Sequence, residues 1–261
     1  MTNIHPSAII ENRANIADNV KIGAFTFISK KAILKSGVEV MHGAQIYGDT
    51  TIGENTKIYP YAVIGIAPQA RDLTKEDNVK VIIGKNSIIR EFVTINEGTS
   101  NGGGITRIGN NCLIMVYCHI AHDCQIGNNV TMANNAILAG HVEIGKFAVI
   151  GGMTPVHQFV KIGEGCMIGG GSAVSQDIPP FCLAEGNRAS IKGLNIIGLK
   201  RRFQNEDIHA LRVAFKELFR SKKALKDVVD ELMSSQNNKK VLKMCSFIKS
   251  TKRGIPYKRK K

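Results

Sequence analysis

The sequence has no tryptophan, few aromatic residues and no long uninterrupted apolar run. Of its 261 residues, 6% are aromatic, 43% are hydrophobic and 21% are charged, which is typical of a folded globular protein. Because no stretch of about 18 uncharged apolar residues occurs, no transmembrane helix is expected. The amino-terminal residues also lack a basic region followed by an apolar run, so we expect no signal peptide and a cytoplasmic location.

Positive charge is scarce in most of the chain and concentrated near its end. Residues 1–187 carry 14 Lys and Arg against 15 Asp and Glu, whereas residues 188–261 carry 21 against 6. A nucleic-acid-binding function leaves the neutral majority of the chain unexplained, so no nucleic-acid partner is expected. An acidic protein partner or an anionic membrane surface would attract the same basic segment, and a solvated helical face without a partner is the alternative.

A six-residue repeat organises most of the sequence. An aliphatic residue or Met stands at every sixth position from 4 to 64, from 83 to 95 and from 108 to 174, which makes 26 hexads. A mostly small residue follows four positions later, as at Ala32 and Ala136. A helix has a period near 3.6 and a simple strand a period of 2, so neither explains the pattern. The repeat predicts a parallel β-helix in which three hexads, each one short strand and a corner, make one coil.

The repeat also predicts the domain organisation. Its phase breaks twice, and the extra residues must form loops outside the coils, where loops on a rigid scaffold commonly carry function. Beyond Ile178, apolar residues recur with helical spacing. We therefore predict an all-β parallel β-helix over residues 1–187, with loop insertions at 70–82 and 101–107, followed by a small α-helical C-terminal domain over residues 188–261.

The cysteines follow the hexads. Four of the six occupy the small inward position, where Cys packs as a small hydrophobe, and this predicts packing instead of metal binding or disulfides: Cys112, Cys118, Cys124 and Cys166. Cys182 and Cys245 fit no pairing pattern, which suits a reducing compartment.

Four of the seven histidines converge on one predicted corner of the β-helix. His122, His141 and His157 belong to hexads that begin 18 residues, or one coil, apart, and His119 precedes His122 by one corner. None occupies an inward position, so we expect them within roughly 10 Å of each other along the axis. Because histidine is the usual acid–base group near neutral pH, the cluster predicts a site for acid–base catalysis. A polar stack along one edge and a three-histidine zinc site are the alternatives.

Several motifs together resemble the UDP-N-acetylglucosamine O-acyltransferase family. They are HIAHDCQIGNNVTMANNAILA at 119–139 followed by Gly140-His141, IGGMTPVHQF at 150–159, Asn195-Ile196 and GLKRR at 198–202. The resemblance covers essentially the whole chain. It implies a left-handed β-helix, a homotrimer with sites between neighbouring chains, and no cofactor or metal.

The resemblance also implies a reaction. A 3-hydroxyacyl group would move from acyl carrier protein to the glucosamine 3-hydroxyl of UDP-N-acetylglucosamine, the first step of lipid A biosynthesis. A sugar hydroxyl is a weak nucleophile, and His122 matches the family's general base. Asp123 would hold the imidazole tautomer, and the N–H of Gly140 would stabilise the oxyanion.

Further residues match substrate-binding positions of the family. Those that would line the donor and acceptor pockets are His119, His141, His157, Gln158, Gln69, Asp72 and Lys75. Those that would hold the nucleotide are Asn195, Arg201 and Arg202, and those of the acyl-chain pocket are Met167, Gly170 and Arg188. Gly170 leaves room for a long hydroxyacyl chain. The chain departs from the family pattern at Ile197, at Arg188 and in the length of the 70–82 loop.

Other functions compete with this one. N-acylation of a 3-amino UDP-sugar would use the same histidine, and the altered 70–82 loop keeps that possibility open. A zinc-dependent carbonic anhydrase is also built on hexapeptide repeats, and a non-catalytic assembly protein would need no histidine at all.

Overall fold

The computed structural model describes residues 2–11, 15–69 and 78–257. Short strands alternate with corners along the repeat region, where strands pair in parallel with the strand about one coil later. The pairing of Ile120 with Leu138, 18 residues apart, is an example. The chain forms the predicted left-handed parallel β-helix, followed by helices.

Three sheets form the faces of the prism. The first contains β1 Asn3–Ile4, β3 Lys21–Ile22, β6 Glu39–Val40, β9 Lys57–Ile58, β12 Ile88–Ile89, β15 Leu113–Ile114, β18 Thr131–Met132, β21 Val149–Ile150, β24 Met167–Ile168, β25 Cys182–Glu185 and β26 Ser190–Leu194. The second contains β2 Ile9–Ile10, β4 Phe27–Ile28, β7 Gln45–Ile46, β10 Val63–Ile66, β13 Thr94–Asn96, β16 His119–Ile120, β19 Ile137–Leu138 and β22 Pro155–Val156. The third contains β5 Ile33–Leu34, β8 Asp49–Ile52, β11 Lys80–Ile83, β14 Ile105–Ile108, β17 Gln125–Ile126, β20 Glu143–Ile144 and β23 Lys161–Ile162.

The corners that join these faces form three edges. The chain passes from the first sheet to the second, then to the third, and back to the first. We call the three rows of corners the first–second edge, the second–third edge and the third–first edge.

The aliphatic positions of the hexads fill the prism. Ile28, Ile46 and Ile64 lie one above the other in the second sheet and are completely buried. Burying such a side chain contributes about 1.5–3 kcal/mol relative to exposure, so stacked coils stabilise one another. All six cysteines are buried and free, as their hexad positions predict for four of them.

Both insertions leave the prism at the second–third edge, and both end three residues earlier than predicted. Residues 80–82 and 105–107 are strand residues, because β8, β11 and β14 pair in register over four residues each. This pairing satisfies the backbone N–H and C=O groups, which in an exposed loop would bond to water instead. The first insertion therefore lies within residues 67–79, and the second within residues 97–104, which include a short 3-10 helix at Ser100–Gly102.

The carboxyl-terminal part begins on the prism and continues in helices. Strand β25 extends the first sheet, and β26 pairs with it in the antiparallel sense, so the first sheet crosses the predicted boundary at 187/188. That boundary stays a prediction. Four helices follow: α1 Ile196–Lys200, α2 Asn205–Arg220, α3 Leu225–Ser235 and α4 Lys239–Lys249. Among the residues described, no helix combines the length and apolarity needed to cross a bilayer.

Candidate active site

His122 and Asp123 form a hydrogen-bonded pair at the second–third edge. They follow β16, and His122 Nδ1 lies 2.9 Å from Asp123 Oδ2. The carboxylate is almost fully buried, with 1% of its side chain exposed, whereas 29% of the His122 side chain is exposed. The pair therefore has a buried carboxylate beneath an imidazole that solvent or substrate can reach.

Thr99, in the second insertion, contacts the same carboxylate. Its N–H donates to Asp123 Oδ1 at 3.0 Å and to Oδ2 at 3.2 Å, and its hydroxyl donates to Oδ2 at 2.6 Å. Burial favours the protonated carboxyl, but the hydrogen bonds from Thr99 and His122 outweigh it, so the pKa of Asp123 lies below its ordinary value. Asp123 is therefore an anion at neutral pH.

The anionic partner fixes the tautomer of His122. An ionised carboxylate only accepts hydrogen bonds, so the Nδ1 atom of His122 carries the proton. Its Nε2 atom is then left with a free lone pair, and a neutral imidazole in this state can accept a proton from a substrate hydroxyl.

Gly140 lies directly over the His122 ring, one coil further along. A Cβ on Gly140 would be 2.6 Å from His122 Cε1 and 2.7 Å from Nε2, so only glycine leaves room for the ring. In the described part of the chain, the Gly140 N–H makes no hydrogen bond. This N–H is consequently available to a ligand oxygen beside Nε2.

His141 also belongs to this cluster. Its ring centroid is 5.0 Å from that of His122, with the two rings perpendicular, and it stacks on Phe159 at 4.4 Å. Burial lowers the pKa of His141, while the nearby Asp123 carboxylate partly opposes that effect. At neutral pH, His141 is therefore an uncharged hydrogen-bonding group.

His119 and His157 occupy neighbouring positions on the same face and edge. His119 lies in β16, where Nδ1 is hydrogen-bonded to the Thr94 hydroxyl at 2.7 Å, and burial lowers its pKa. His157 follows β22, and its Nδ1 lies 3.1 Å both from the Gln158 carbonyl oxygen and from Nη2 of Arg253. His157 and Gln158 are exposed.

The His122–Asp123 pair and His141 could also be considered as metal ligands. One potential ligand atom from each of His122, Asp123 and His141 lies within 4.8 Å of the others. However, Asp123 Oδ2 already accepts hydrogen bonds from His122 Nδ1 and from the hydroxyl and N–H of Thr99. The donor set therefore fits a hydrogen-bonded acid–base pair better than a zinc site.

The predicted nucleotide-binding residues lie on a different edge of the same prism. Asn195 caps α1 by accepting the Gly198 N–H at 3.1 Å, and its amide donates to the Gly165 carbonyl at 3.0 Å. Arg202 stacks over Phe147 at 4.9 Å. Because Gly165 and Phe147 form corners between the third and first sheets, these residues belong to the third–first edge. Arg201 is exposed nearby.

Arg202 has unused hydrogen-bonding capacity. Its Nε donates to the Gly198 carbonyl at 3.0 Å, but its buried Nη1 has no partner in the described part of the chain. Burial lowers the pKa of Arg202, although Glu164 opposes this, and an arginine stays charged in either case. The Arg202 guanidinium is therefore a permanent positive charge at the third–first edge.

The predicted acyl-pocket residues lie on the first sheet and the first–second edge. Met167 is half-buried in β24, and Gly170 is exposed in the corner that follows, where an added Cβ would lie 3.3 Å from the Gly152 carbonyl oxygen. Arg188 is exposed between β25 and β26. A single chain therefore does not bring these residues to the His122 edge.

The first insertion carries three predicted acceptor contacts. Gln69 is exposed at its start, while Asp72 and Lys75 lie outside the described residues. The buried Asn96 donates its amide to the carbonyls of Ile66 and Ala67 and so holds the start of this insertion.

Thr94, Thr99 and Arg253 are among the residues that touch the predicted site and that sequence reasoning missed. Each contacts a site residue from at least 24 positions away in the sequence. For Thr99, the sequence offered one indication, which was the second phase break of the hexads, because it begins two residues after Thr99.

The comparisons with known proteins agree with this architecture. A family model of bacterial transferase hexapeptide repeats matches residues 31–65 and 105–140, and one described as UDP N-acetylglucosamine O-acyltransferase, domain 2, matches residues 177–256. The acyl-[acyl-carrier-protein]–UDP-N-acetylglucosamine O-acyltransferase of Campylobacter curvus is 56% identical over 256 residues, which cover 98% of both chains.

Solved structures of similar proteins extend the agreement to three dimensions. The UDP-N-acetylglucosamine acyltransferase from Campylobacter jejuni is 54% identical, with a TM-score of 0.93 over 98% of this chain and 100% of the other. The corresponding Arabidopsis enzyme is 32% identical, with a TM-score of 0.84 over 98% and 100%. The chain therefore belongs to the family of acyl-[acyl-carrier-protein]–UDP-N-acetylglucosamine O-acyltransferases.

Proposed function

We propose that this protein transfers a 3-hydroxyacyl group from acyl carrier protein to the glucosamine 3-hydroxyl of UDP-N-acetylglucosamine, which begins lipid A biosynthesis. The names of its relatives state acyl-[acyl-carrier-protein] and UDP-N-acetylglucosamine as the substrates of an O-acyltransferase. The observation that carries the chemistry is the His122–Asp123 pair beneath Gly140, because it combines a base with an unpartnered N–H.

In this reaction His122 is the general base. Its Nε2 removes the proton from the sugar 3-hydroxyl as the hydroxyl oxygen attacks the thioester carbonyl. Asp123 stabilises the imidazolium that forms. The proton then passes to the departing thiolate of the carrier's pantetheine, so the base returns to its starting state without a covalent enzyme intermediate.

Gly140 stabilises the oxyanion of the tetrahedral intermediate. Its N–H is free of partners in the described part of the chain and lies next to the His122 ring. A donor held rigidly by the backbone stabilises developing charge without reorganising, which typically lowers the barrier by about 3–4 kcal/mol.

The substrates bind around this centre. We assign His119, His141, His157, Gln158, Gln69, Asp72 and Lys75 to the donor and acceptor pockets. Asn195, Arg201 and Arg202 hold the nucleotide, and the planar guanidinium of an arginine suits phosphate oxygens. Met167, Gly170 and Arg188 line the acyl pocket, and the missing side chain at Gly170 admits a long acyl chain.

A complete site requires a neighbouring chain. The base lies on the second–third edge, whereas Arg202 lies on the third–first edge and Gly170 on the first–second edge. A symmetric homotrimer that brings different edges of adjacent prisms together would unite them. A cytoplasmic location, where six unpaired cysteines remain reduced, completes the proposal.

One assay tests the proposed reaction. Purified wild type and His122→Ala are offered 3-hydroxyacyl carrier proteins of several lengths, with UDP-N-acetylglucosamine or its 3-amino analogue as acceptor. We expect O-acylation with long donors, and a fall of about 10²–10⁴-fold in kcat for His122→Ala because the base is lost.

The control is His209→Ala, which removes an exposed histidine on α2, away from the prism corner. It should retain wild-type turnover. Equal turnover by wild type and His122→Ala would remove His122 as the base. Strict preference for the amino acceptor would replace O-acylation with N-acylation.

A further inference from the structure

We infer that Thr99 is a positioning residue for the His122–Asp123 pair, and that the second insertion exists in part to deliver it. This inference rests on the proposed function of the pair. Thr99 lies in residues 97–104, which leave the prism between β13 and β14 at the second–third edge. The next corner on this edge carries His122 and Asp123.

Thr99 holds both oxygens of the carboxylate. Its N–H lies 3.0 Å from Oδ1, and its hydroxyl lies 2.6 Å from Oδ2, the oxygen that accepts from His122 Nδ1. With donors on both oxygens, the carboxylate group cannot rotate without breaking charge-assisted hydrogen bonds in a buried site.

The fixed orientation selects one histidine over another. His141 Nδ1 lies 4.0 Å from Asp123 Oδ2, while His122 Nδ1 lies 2.9 Å from it. A carboxylate free to turn could pair with either imidazole. By fixing Oδ2, Thr99 directs the carboxylate to His122, whose Nε2 then keeps its lone pair beneath Gly140.

The insertion is built to hold Thr99 in place. The Thr99 carbonyl accepts the N–H groups of Gly102 and Gly104, at 2.9 and 2.8 Å, which closes a tight turn. Gly102 approaches the pair so closely that an added Cβ would lie 2.1 Å from Asp123 Oδ2. The turn therefore packs directly on the carboxylate and leaves Thr99 little freedom to move.

The backbone of Asp123 is anchored independently of Thr99. The Asp123 N–H donates to the hydroxyl of Thr106, a completely buried residue of β14, at 2.8 Å. Removing the Thr99 hydroxyl should therefore loosen the carboxylate while the corner that carries it stays in place. This separation makes Thr99 testable without dismantling the site.

The experiment compares Thr99→Val and Thr99→Ser with wild type. Valine keeps the shape and the N–H but removes the hydroxyl donor, so kcat should fall about 10- to 100-fold, the loss expected for one hydrogen bond to a charged group. The KM values for both substrates should stay within about twofold, because Thr99 reaches substrate only through the pair. Serine, which restores the hydroxyl, should restore kcat.

Nuclear magnetic resonance of ¹⁵N-labelled histidine gives a readout independent of activity. In wild type, the His122 ring should be the tautomer with the proton on Nδ1, and Thr99→Val should lose part of that population. If wild type lacked O-acyltransferase activity, the proposed function would fail, yet this spectrum would still decide the role of Thr99.

The matched control is Thr56→Val. Thr56 is completely buried at the third–first edge, and its hydroxyl donates to the Gly84 carbonyl at 2.8 Å. This variant should lose comparable stability while keeping kcat and the His122 spectrum. Unchanged kcat and tautomer in Thr99→Val, or a kcat loss in Thr99→Val that serine does not reverse, would overturn the inference.

Discussion

Among the site histidines, hydrogen-bond partners and burial distinguish His122, the proposed base, from its neighbours. Burial lowers the pKa values of His119 and His141, so both rings are neutral near pH 7. His122 is the histidine whose Nδ1 is hydrogen-bonded to the buried Asp123 carboxylate. His119 and His141 are thus suited to orient hydroxyl groups, and His122 to accept a proton.

We predict that Gly140→Ala lowers kcat by about 100-fold or more, the scale expected when a base is displaced or an oxyanion donor is lost. The backbone at Gly140 does not have a positive φ, so alanine is conformationally allowed. Its methyl group would nevertheless lie 2.6 Å from His122 Cε1 and would displace the ring from its position beneath residue 140. Steady-state kinetics measures the loss of kcat, and the thermal midpoint of unfolding measures any loss of stability separately.

Gly193→Ala is the matched control for that substitution. Gly193 lies in β26, and a Cβ there would meet no atom within 4 Å. This variant should keep wild-type kcat and stability. A Gly140→Ala enzyme with full activity would contradict the assigned position of the ring during catalysis.

The second insertion and the prism corner act as one unit. Thr99 and Gly102 pack on Asp123, which links residues 97–104 to the corner. The hexad period, counted backward from His122, is enough to place both phase breaks on the second–third edge. The same count does not reveal that the second insertion folds back onto the carboxylate, because loop conformation depends on contacts distant in sequence.

We predict that docking of the second insertion weakens in acid because of Asp123. The pKa of Asp123 is lowered from an ordinary value of 3.8 when Thr99 and His122 bind it, so docking favours the ionised form. The stabilisation is complete above that ordinary value and is lost as the pH falls through the lowered value. The protection factors of residues 97–104, which are the intrinsic exchange rates at each pH divided by the observed rates, should therefore fall below about pH 4.

Asp123→Asn provides the comparison for this pH effect. The amide has nearly the same shape but does not titrate, so the protection factors of residues 97–104 should be lower at neutral pH and should change less on acidification. Identical acid dependence in the two proteins would show that another group controls docking. Glu39 and Asp207 also have lowered pKa values, but they lie outside the insertion.

Across the whole molecule, the predicted site residues divide among three edges. His122 lies on the second–third edge, Arg202 on the third–first edge and Gly170 on the first–second edge. A rigid prism cannot fold these edges together, because its stacked core fixes their separation.

We predict that two inactive variants restore activity when their chains are mixed. His122→Ala and Arg202→Ala are each expected to lose most activity, since one lacks the base and the other a nucleotide contact. If each site combines His122 of one chain with Arg202 of its neighbour, random mixing at equal amounts leaves about a quarter of the sites intact. Unfolding and refolding the mixture, followed by an activity assay, measures this recovery.

The control for mixing is a pair of variants on the same edge. His122→Ala and Gly140→Ala both damage the second–third edge of one chain, so a mixture of them has no intact site. Recovery with the first pair and none with the second supports shared sites. No recovery with either pair would indicate that each site lies within one chain.

The sequence by itself determined the fold and the acid–base pair. An aliphatic residue at every sixth position can be buried throughout only by coiling the chain, and His122 and Asp123 are adjacent in the sequence, so their proximity needed no long-range contact. The tertiary structure decided that Thr99 holds Asp123 and that Arg202 stacks on the third–first edge. These contacts join segments 24 and 55 residues apart, and their geometry depends on how loops and helices pack against the prism, which hexad periodicity does not encode.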